Sequence, residues 1–369
     1  IFIYVQISCN CVDDFDLIRM NLSVCLGKSM LRVVIVALLL TATAVAEKPA
    51  FLSRHRFTAR DSLSVGVESS VDARKCLAQL TWQPREFEIR CQSPRRGRGD
   101  ALVRFDSPLP LGEATNDLVA MEWYLARDKQ SKPIRARAIV VVHESGSSMT
   151  VGRLFARKLK DEGLHAFLVQ LPSYGERRGP SGRPDGKALF PTLRQAVGDV
   201  RRARDAVAAL PLIDTGHISL QGTSLGGFVA ATSAGLDTGF DSVFLVLAGG
   251  DLYDLVQHGQ KDTARIRERL TQAGIEGDKL KALAETIEPT RLAHRLDPSR
   301  TWLFSGVNDT VVPIKNALVL AKAARLTPNH HVRLPSNHYT GIIFLPSMCH
   351  LINKQVQSLP RRRPTRAGN

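Results

Sequence analysis

The sequence contains no apolar run long enough to cross a bilayer as a helix. Its one extended uncharged stretch, Val33 to Ala46, falls short of the ~20 residues a spanning helix needs, so no stable transmembrane anchor is expected. Six cysteines are present, none at metal-ligand spacing, which argues against a structural zinc. There is no internal repeat and no recognisable nucleic-acid module. Basic clusters are not interleaved with aromatics, so no nucleic-acid partner is expected despite a formal net charge of +15. Much of that excess is local: Arg95, Arg96 and Arg98 share the Pro94 to Gly99 loop, and Arg361, Arg362, Arg363 and Arg366 lie in a basic tail, 358–369. The tail reads as a solvated end, with contact to polyanions or acidic cell-surface material as the other account. What remains is a chain of 369 residues, 44% hydrophobic and 23% charged, enough to bury a substantial core as one large domain or two ordinary ones.

The first 46 residues read as an upstream extension followed by an export signal. Lys28 and Arg32 precede the apolar centre Val33 to Leu40, and Ala44-Val45-Ala46 supplies the small residues that a signal peptidase accepts. Translation is expected to start at Met20 or Met30, because residues 1–19 match no targeting segment. Cleavage near Ala46 gives an exported chain, periplasmic or secreted. Cys9, Cys11 and Cys25 lie upstream of that cut. Export permits a disulfide between Cys76 and Cys91, and two buried thiols fit equally well; Cys349 is expected as a small core residue on the last helix.

From residue 135 onward, β-branched apolar runs alternate with segments of helical period, which predicts a mostly parallel sheet covered by helices on both faces. Strands are expected at Ala138 to Val142, Ala166 to Leu171, Ile218 to Gln221, Val243 to Leu247, Thr301 to Phe304 and His331 to Leu334. Helix 151–162 ends before Gly163. A second helix, from Leu193 to Leu210, has an apolar stripe and an opposite face bearing Arg201, Arg202 and Asp205. In 47–134, Phe87 to Cys91 and Leu118 to Leu125 read as antiparallel edge strands, divided by the Pro, Gly and Ser of 93–112. Within the core, 135–357, the charged helical sequence of 252–299 is either a cap over one end of the sheet or a surface helix pair.

Directly after the strand Ile218 to Gln221 stands Gly222-Thr223-Ser224-Leu225-Gly226, a G-x-S-x-G between strand and helix. A nucleophile on so sharp a turn leaves no room for side chains two positions either way, and the next amide, on Leu225, opens a helix where its N–H can meet developing negative charge. A phosphate-binding loop is the competing reading, but no G-K-S/T follows. A nucleophilic serine needs a histidine base held in one tautomer by an acid. Asp309 follows the strand Thr301 to Phe304, and His338 follows the strand His331 to Leu334. Asp251 is the alternative acid. His330, His331 and His350 compete with His338; His331 begins a strand and His350 falls inside the last helix, so neither of these tops a strand end.

With the elbow at Ser224, S-G-x-x-D-x-x-V-P around Asp309 and N-H-Y around His338, the chain resembles the α/β-hydrolase superfamily over at least 135–357. It looks most like the dienelactone-hydrolase, acetyl-xylan-esterase and prolyl-oligopeptidase-related branch, although dienelactone hydrolases carry cysteine where Ser224 stands. The resemblance implies an α/β-hydrolase fold and an oxyanion hole completed by the loop after the first parallel strand. Here that loop reads His143-Glu144-Ser145-Gly146, with Glu144 in place of a glycine. A backbone amide of Glu144 or Ser145 is expected to serve, provided the carboxylate turns away. His143 is expected to brace the loop. Tyr174, on the loop after the second parallel strand, is placed against the acyl pocket; Arg177 and Arg178 read as solvated charge, with an acidic substrate as the other account. The reading is an exported serine esterase needing no cofactor or metal, with a small-molecule or polysaccharide-linked ester as substrate. Ester cleavage is favoured over peptide cleavage, since there is no room for a separate propeller domain of the kind oligopeptidases carry, and a peptidase of the same fold stays among the alternatives. A silent hydrolase fold used for binding, and an acyltransferase, are the rivals.

Overall fold

The computed structural model describes residues 55–360, apart from Ser181 and Arg183. The upstream extension, the signal segment 33–46, Cys9, Cys11, Cys25 and the arginines of the tail lie outside the described residues. Among the described residues, ten strands form one sheet: β1 His55–Arg60, β2 Glu86–Gln92, β3 Ala101–Asp106, β4 Leu118–Tyr124, β5 Ala136–Val142, β6 His165–Gln170, β7 Ile213–Thr223, β8 Val243–Val246, β9 Thr301–Gly306 and β10 His331–Leu334. Their order is β1-β2-β3-β4-β6-β5-β7-β8-β9-β10. β1 to β4 pair antiparallel and β4 joins β6 antiparallel, whereas β6, β5, β7, β8, β9 and β10 pair in parallel.

The apolar runs behave as strands because both faces of the sheet are covered. On β5, Ala138, Val140 and Val142 point into one core while Ile139 and Val141 point into the other; on β6, Phe167 and Val169 oppose Ala166 and Leu168 in the same way. Nine helices of seven or more residues flank or cap the described sheet: α1 Val71–Leu80, α2 Thr150–Asp161, α3 Leu189–Ala208, α4 Leu225–Ala234, α5 Leu252–His258, α6 Asp262–Gln272, α7 Gly277–Glu285, α8 Ile314–Ala323 and α9 Leu345–Ser358. α2 ends ahead of Gly163, whose φ of +93° is open to glycine. None of the described helices is long and apolar enough to cross a membrane.

Two expectations are corrected, and one choice left open by the sequence, between a disulfide and two buried thiols, is decided. The 93–112 region is more than a divider, since it contains β3, which begins once Asp100 N–H has closed onto Trp123 O at 2.7 Å. Arg201, Arg202 and Asp205 do not form a solvated face of α3 but are buried. Arg201 grips Asp237 through two bonds, at 2.8 and 2.7 Å, and Asp205 at 2.9 Å, while Arg202 pairs with Asp61. The physical reason is that the residues after β1 cross the outer side of α3 and bring Asp61 and Ser62 onto it, Ser62 Oγ donating to Asp205 at 2.6 Å. Cys76 and Cys91 are free, buried thiols, so the disulfide that export would permit is not formed. Cys76 Sγ donates to Thr286 O at 3.3 Å, and burial pushes both thiols up to about 12. Cys349 is buried on α9, as expected.

Candidate active site

β7 ends at Thr223 and α4 begins at Leu225, leaving Ser224 alone at the corner with φ 52° and ψ −117°. A side chain at positive φ is costly, and the packing around the corner sustains it. A Cβ on Gly222 would lie 2.2 Å from Gly226 O, and one on Gly226 would lie 2.3 Å from Val142 O, so glycine is required at both places. Ser224 N–H donates to Val246 O at 2.8 Å, and its carbonyl accepts from Gly227 N–H at 2.8 Å. The corner is thereby tied both to β8 and to the first turn of α4.

The structure brings the three side chains singled out in the sequence together at the C-terminal ends of β7, β9 and β10, where ligands bind in open parallel sheets. Ser224 Oγ lies 2.9 Å from His338 Nε2, and His338 Nδ1 lies 2.7 Å from Asp309 Oδ2. The other oxygen of Asp309 accepts the Val311 and Val312 N–H groups at 2.8 and 2.9 Å, which fixes the carboxylate plane. Asn308 N–H donates to Ser336 O at 3.0 Å and joins the acid loop to the histidine loop. Asp309 is 6% exposed and the His338 side chain 10%, so the relay is shielded but reachable.

The rival residues stand elsewhere. Asp251 caps α5, accepting from Asp254 N–H at 3.1 Å. His330 stacks on Trp302 with centroids 4.5 Å apart, His331 Nε2 meets Ser305 Oγ at 2.5 Å, and His350 projects from α9.

Glu144 has turned away from Ser224. Its two carboxylate oxygens accept the N–H groups of Val151 and Gly152 at 3.1 and 3.0 Å, so it caps α2, whose preceding residue, Met149, offers no side-chain cap. His143 braces the same loop. Leu171 N–H donates to its Nε2 at 3.0 Å, so Nδ1 carries the proton and donates to Glu144 O. Burial, with Arg153 and Arg177 nearby, holds the His143 imidazole down at about 3 and therefore neutral.

Tyr174 lines the cleft, as expected, and also does something the sequence did not reveal: its hydroxyl donates to Ser145 O at 3.0 Å while its ring meets that of His143 edge-on. Arg177 is neither solvated nor turned towards the cleft. It is fully buried, bonded to Asp199 at 2.7 Å and to the carbonyls of Asn116 and Gln170, because its short helical turn folds back over the end of β6. Arg178 is exposed.

Ser224, Leu225, Ser145 and His338 open into a cleft of about 990 Å³. The 252–299 insertion lines one side of it through α6, which makes it a cap rather than a surface helix pair. Gln260 N–H donates to Thr310 O at 2.9 Å and Thr263 Oγ1 to Val311 O at 3.0 Å, anchoring this cap on the Asp309 loop. Beside His338, Tyr339 donates to Asp262 at 3.3 Å and lies under the Lys261 ammonium at 4.7 Å.

Such a sheet, elbow and cap define the α/β-hydrolase fold, and the chain is related to that superfamily. More particularly, the profile of the prolyl oligopeptidase family matches residues 194–341, a span that holds Ser224, Asp309 and His338. Among solved structures, the chain is similar to an acetyl xylan esterase from Paenibacillus sp. R4, at 14% identity and a TM-score of 0.57, over 80% of this chain and 96% of that one. It is also similar to a puromycin-hydrolyzing peptidase of Mycobacterium tuberculosis, at 15% identity and a TM-score of 0.51, over 75% of this chain and 46% of that one. No curated protein sequence matches it significantly.

Proposed function

We propose that the protein is a serine hydrolase that cleaves carboxylic esters through an acyl-enzyme on Ser224. The observation that carries this reading is the unbroken relay from Ser224 Oγ through His338 to Asp309, at 2.9 and 2.7 Å, mounted on a corner with φ 52°. In the reaction, Ser224 Oγ attacks the ester carbonyl carbon and its proton passes to His338 Nε2, while Asp309 holds the Nδ1 proton and stabilises the imidazolium. The oxyanion is held by the Leu225 amide and by an amide of the Glu144–Ser145 turn. Collapse expels the alkoxide, which leaves as alcohol with the His338 proton. A water then gives its proton to His338 Nε2 and attacks the acyl carbon; the second collapse returns that proton to Ser224 and frees the carboxylic acid.

Ester cleavage is preferred to peptide cleavage because the surface around Ser224 is a broad cleft that is mainly apolar by area. With Glu144 engaged on α2, the chief motive for a silent binding protein falls away. Export under the 33–46 signal, with cleavage near Ala46, completes the proposal; N-terminal sequencing of the protein recovered from its native compartment tests it. A fluorophosphonate probe tests the chemistry: it labels Ser224 in the wild-type protein, and Ser224→Ala removes both labelling and hydrolysis of an aryl ester. Undiminished turnover by that variant overturns the proposal.

A further inference from the structure

Resting on the serine-esterase reading, we infer that the substrate is a neutral ester bearing apolar groups on both sides of the scissile bond, with an acyl chain well beyond acetyl. The cleft has two apolar walls, drawn from the two cores that the sheet separates. Phe155, Leu247 and Met348 belong to one core, with Ile342 packed against it. Leu171 and Ala196 belong to the other, with Leu189 and Leu193 packed against it. Ser224 stands at the end of the sheet and faces the space they share, so an ester seated on it can send one substituent along each wall.

The charged side chains of the lining are largely engaged within the protein. Glu144 caps α2. Asp262 pairs with Arg265 at 3.0 Å, Arg269 donates to the Pro184 carbonyl, and Asp185 accepts Ala188 N–H at 2.8 Å. Lys187 is exposed at the mouth. The lining carries three carboxylates, Glu144, Asp185 and Asp262, against three cations, Lys187, Arg265 and Arg269, so no net charge draws an anionic substrate to the serine, and sugar hydroxyls pressed against the two apolar walls would lose water without equivalent partners. Methylene groups gain there, by roughly fourfold in kcat/KM for each one fully buried. The volume, about 990 Å³, lies at the upper end of the range for small-molecule sites.

The test is a series of p-nitrophenyl esters from acetate to octanoate, with methyl and hexyl octanoate probing the alcohol side, together with the variants Leu193→Trp and Ile342→Trp. In the wild-type protein kcat/KM rises at least roughly tenfold from acetate to octanoate, a fraction of what full burial of the added methylenes would give. One tryptophan variant lowers the octanoate-to-acetate ratio and the other lowers the hexyl-to-methyl ratio. A maximum at acetate, or ratios unmoved by both variants, overturns the inference. Fluorophosphonate labelling of Ser224 in the same preparation separates the two levels: labelled protein that prefers acetate refutes the substrate class alone, whereas protein that neither labels nor turns over any ester refutes the catalytic reading and the inference with it.

Discussion

The carboxylate of Glu144 accepts the Gly152 N–H at 3.0 Å, and with it the Val151 N–H, so the residue that stands where a glycine was expected serves the N-terminus of α2. This contact reconciles an acidic side chain beside the nucleophile with a hole for an oxyanion. It also means that the cap of α2 and the placement of the Ser145 amide depend on the same residue.

Glu144→Ala is accordingly expected to cost about 1 kcal/mol of stability, the usual loss for a removed helix cap. It should also lower kcat, because the 144–145 turn is released; Glu144→Gln, which keeps one acceptor oxygen, should lose less of both. Thermal unfolding and ester kinetics on the two variants check this.

Tyr174 positions the same turn from the other side. Loss of its hydroxyl in Tyr174→Phe removes the bond to Ser145 O, worth about 0.5 to 1.5 kcal/mol, and up to roughly tenfold in kcat if the turn shifts. KM for a short ester should change little, since the ring remains; a KM effect equal to the kcat effect would point to lost substrate contact instead.

The site was legible in the sequence because its parts are local signals. Ser224 is announced by glycines two positions either side at a strand-to-helix junction, and Asp309 and His338 each follow a short apolar run that must be a strand. The cores of β5, β6, β8 and β9 were legible for the same reason. What escaped is non-local. Arg202 and Asp61 are 141 positions apart, so a charge pattern alone cannot distinguish a buried pair from a wet face. β3 was hidden by its Pro- and Gly-rich flank, and its place follows only from its pairing with β4. The role of Glu144 was hidden because it reaches seven and eight residues along the chain, beyond any capping-box spacing.

Breaking the Arg202 to Asp61 pair by Arg202→Met leaves a buried carboxylate without its partner. A loss of about 3 to 5 kcal/mol is expected in denaturant unfolding. Whatever protein remains folded should still label at Ser224, because the pair lies on the outer side of α3, away from the cleft.

Acid should destabilise the fold through two buried histidines. Burial holds His143 at about 3 and His165 at about 4, each below its ordinary value of 6.5. Between these values and 6.5 the unfolded chain binds protons that the folded chain does not, so stability is complete above 6.5 and declines as pH falls through the window. Each histidine contributes a slope of roughly 1.4 kcal/mol per pH unit there. Urea unfolding at pH 7 and pH 5 should show this decline, and His165→Gln should flatten it; an unchanged slope in that variant would assign the acid sensitivity to other groups.

The most direct measurement is peptide mass mapping after rapid acid quench of the protein turning over p-nitrophenyl octanoate. The account predicts an octanoyl group on the peptide containing Ser224, absent from Ser224→Ala and, once formed with excess ester, longer-lived in His338→Ala, which lacks the base for deacylation. An unmodified Ser224 peptide, from protein hydrolysing that ester at full rate and quenched during turnover under conditions in which the acyl adduct is stable, would contradict it.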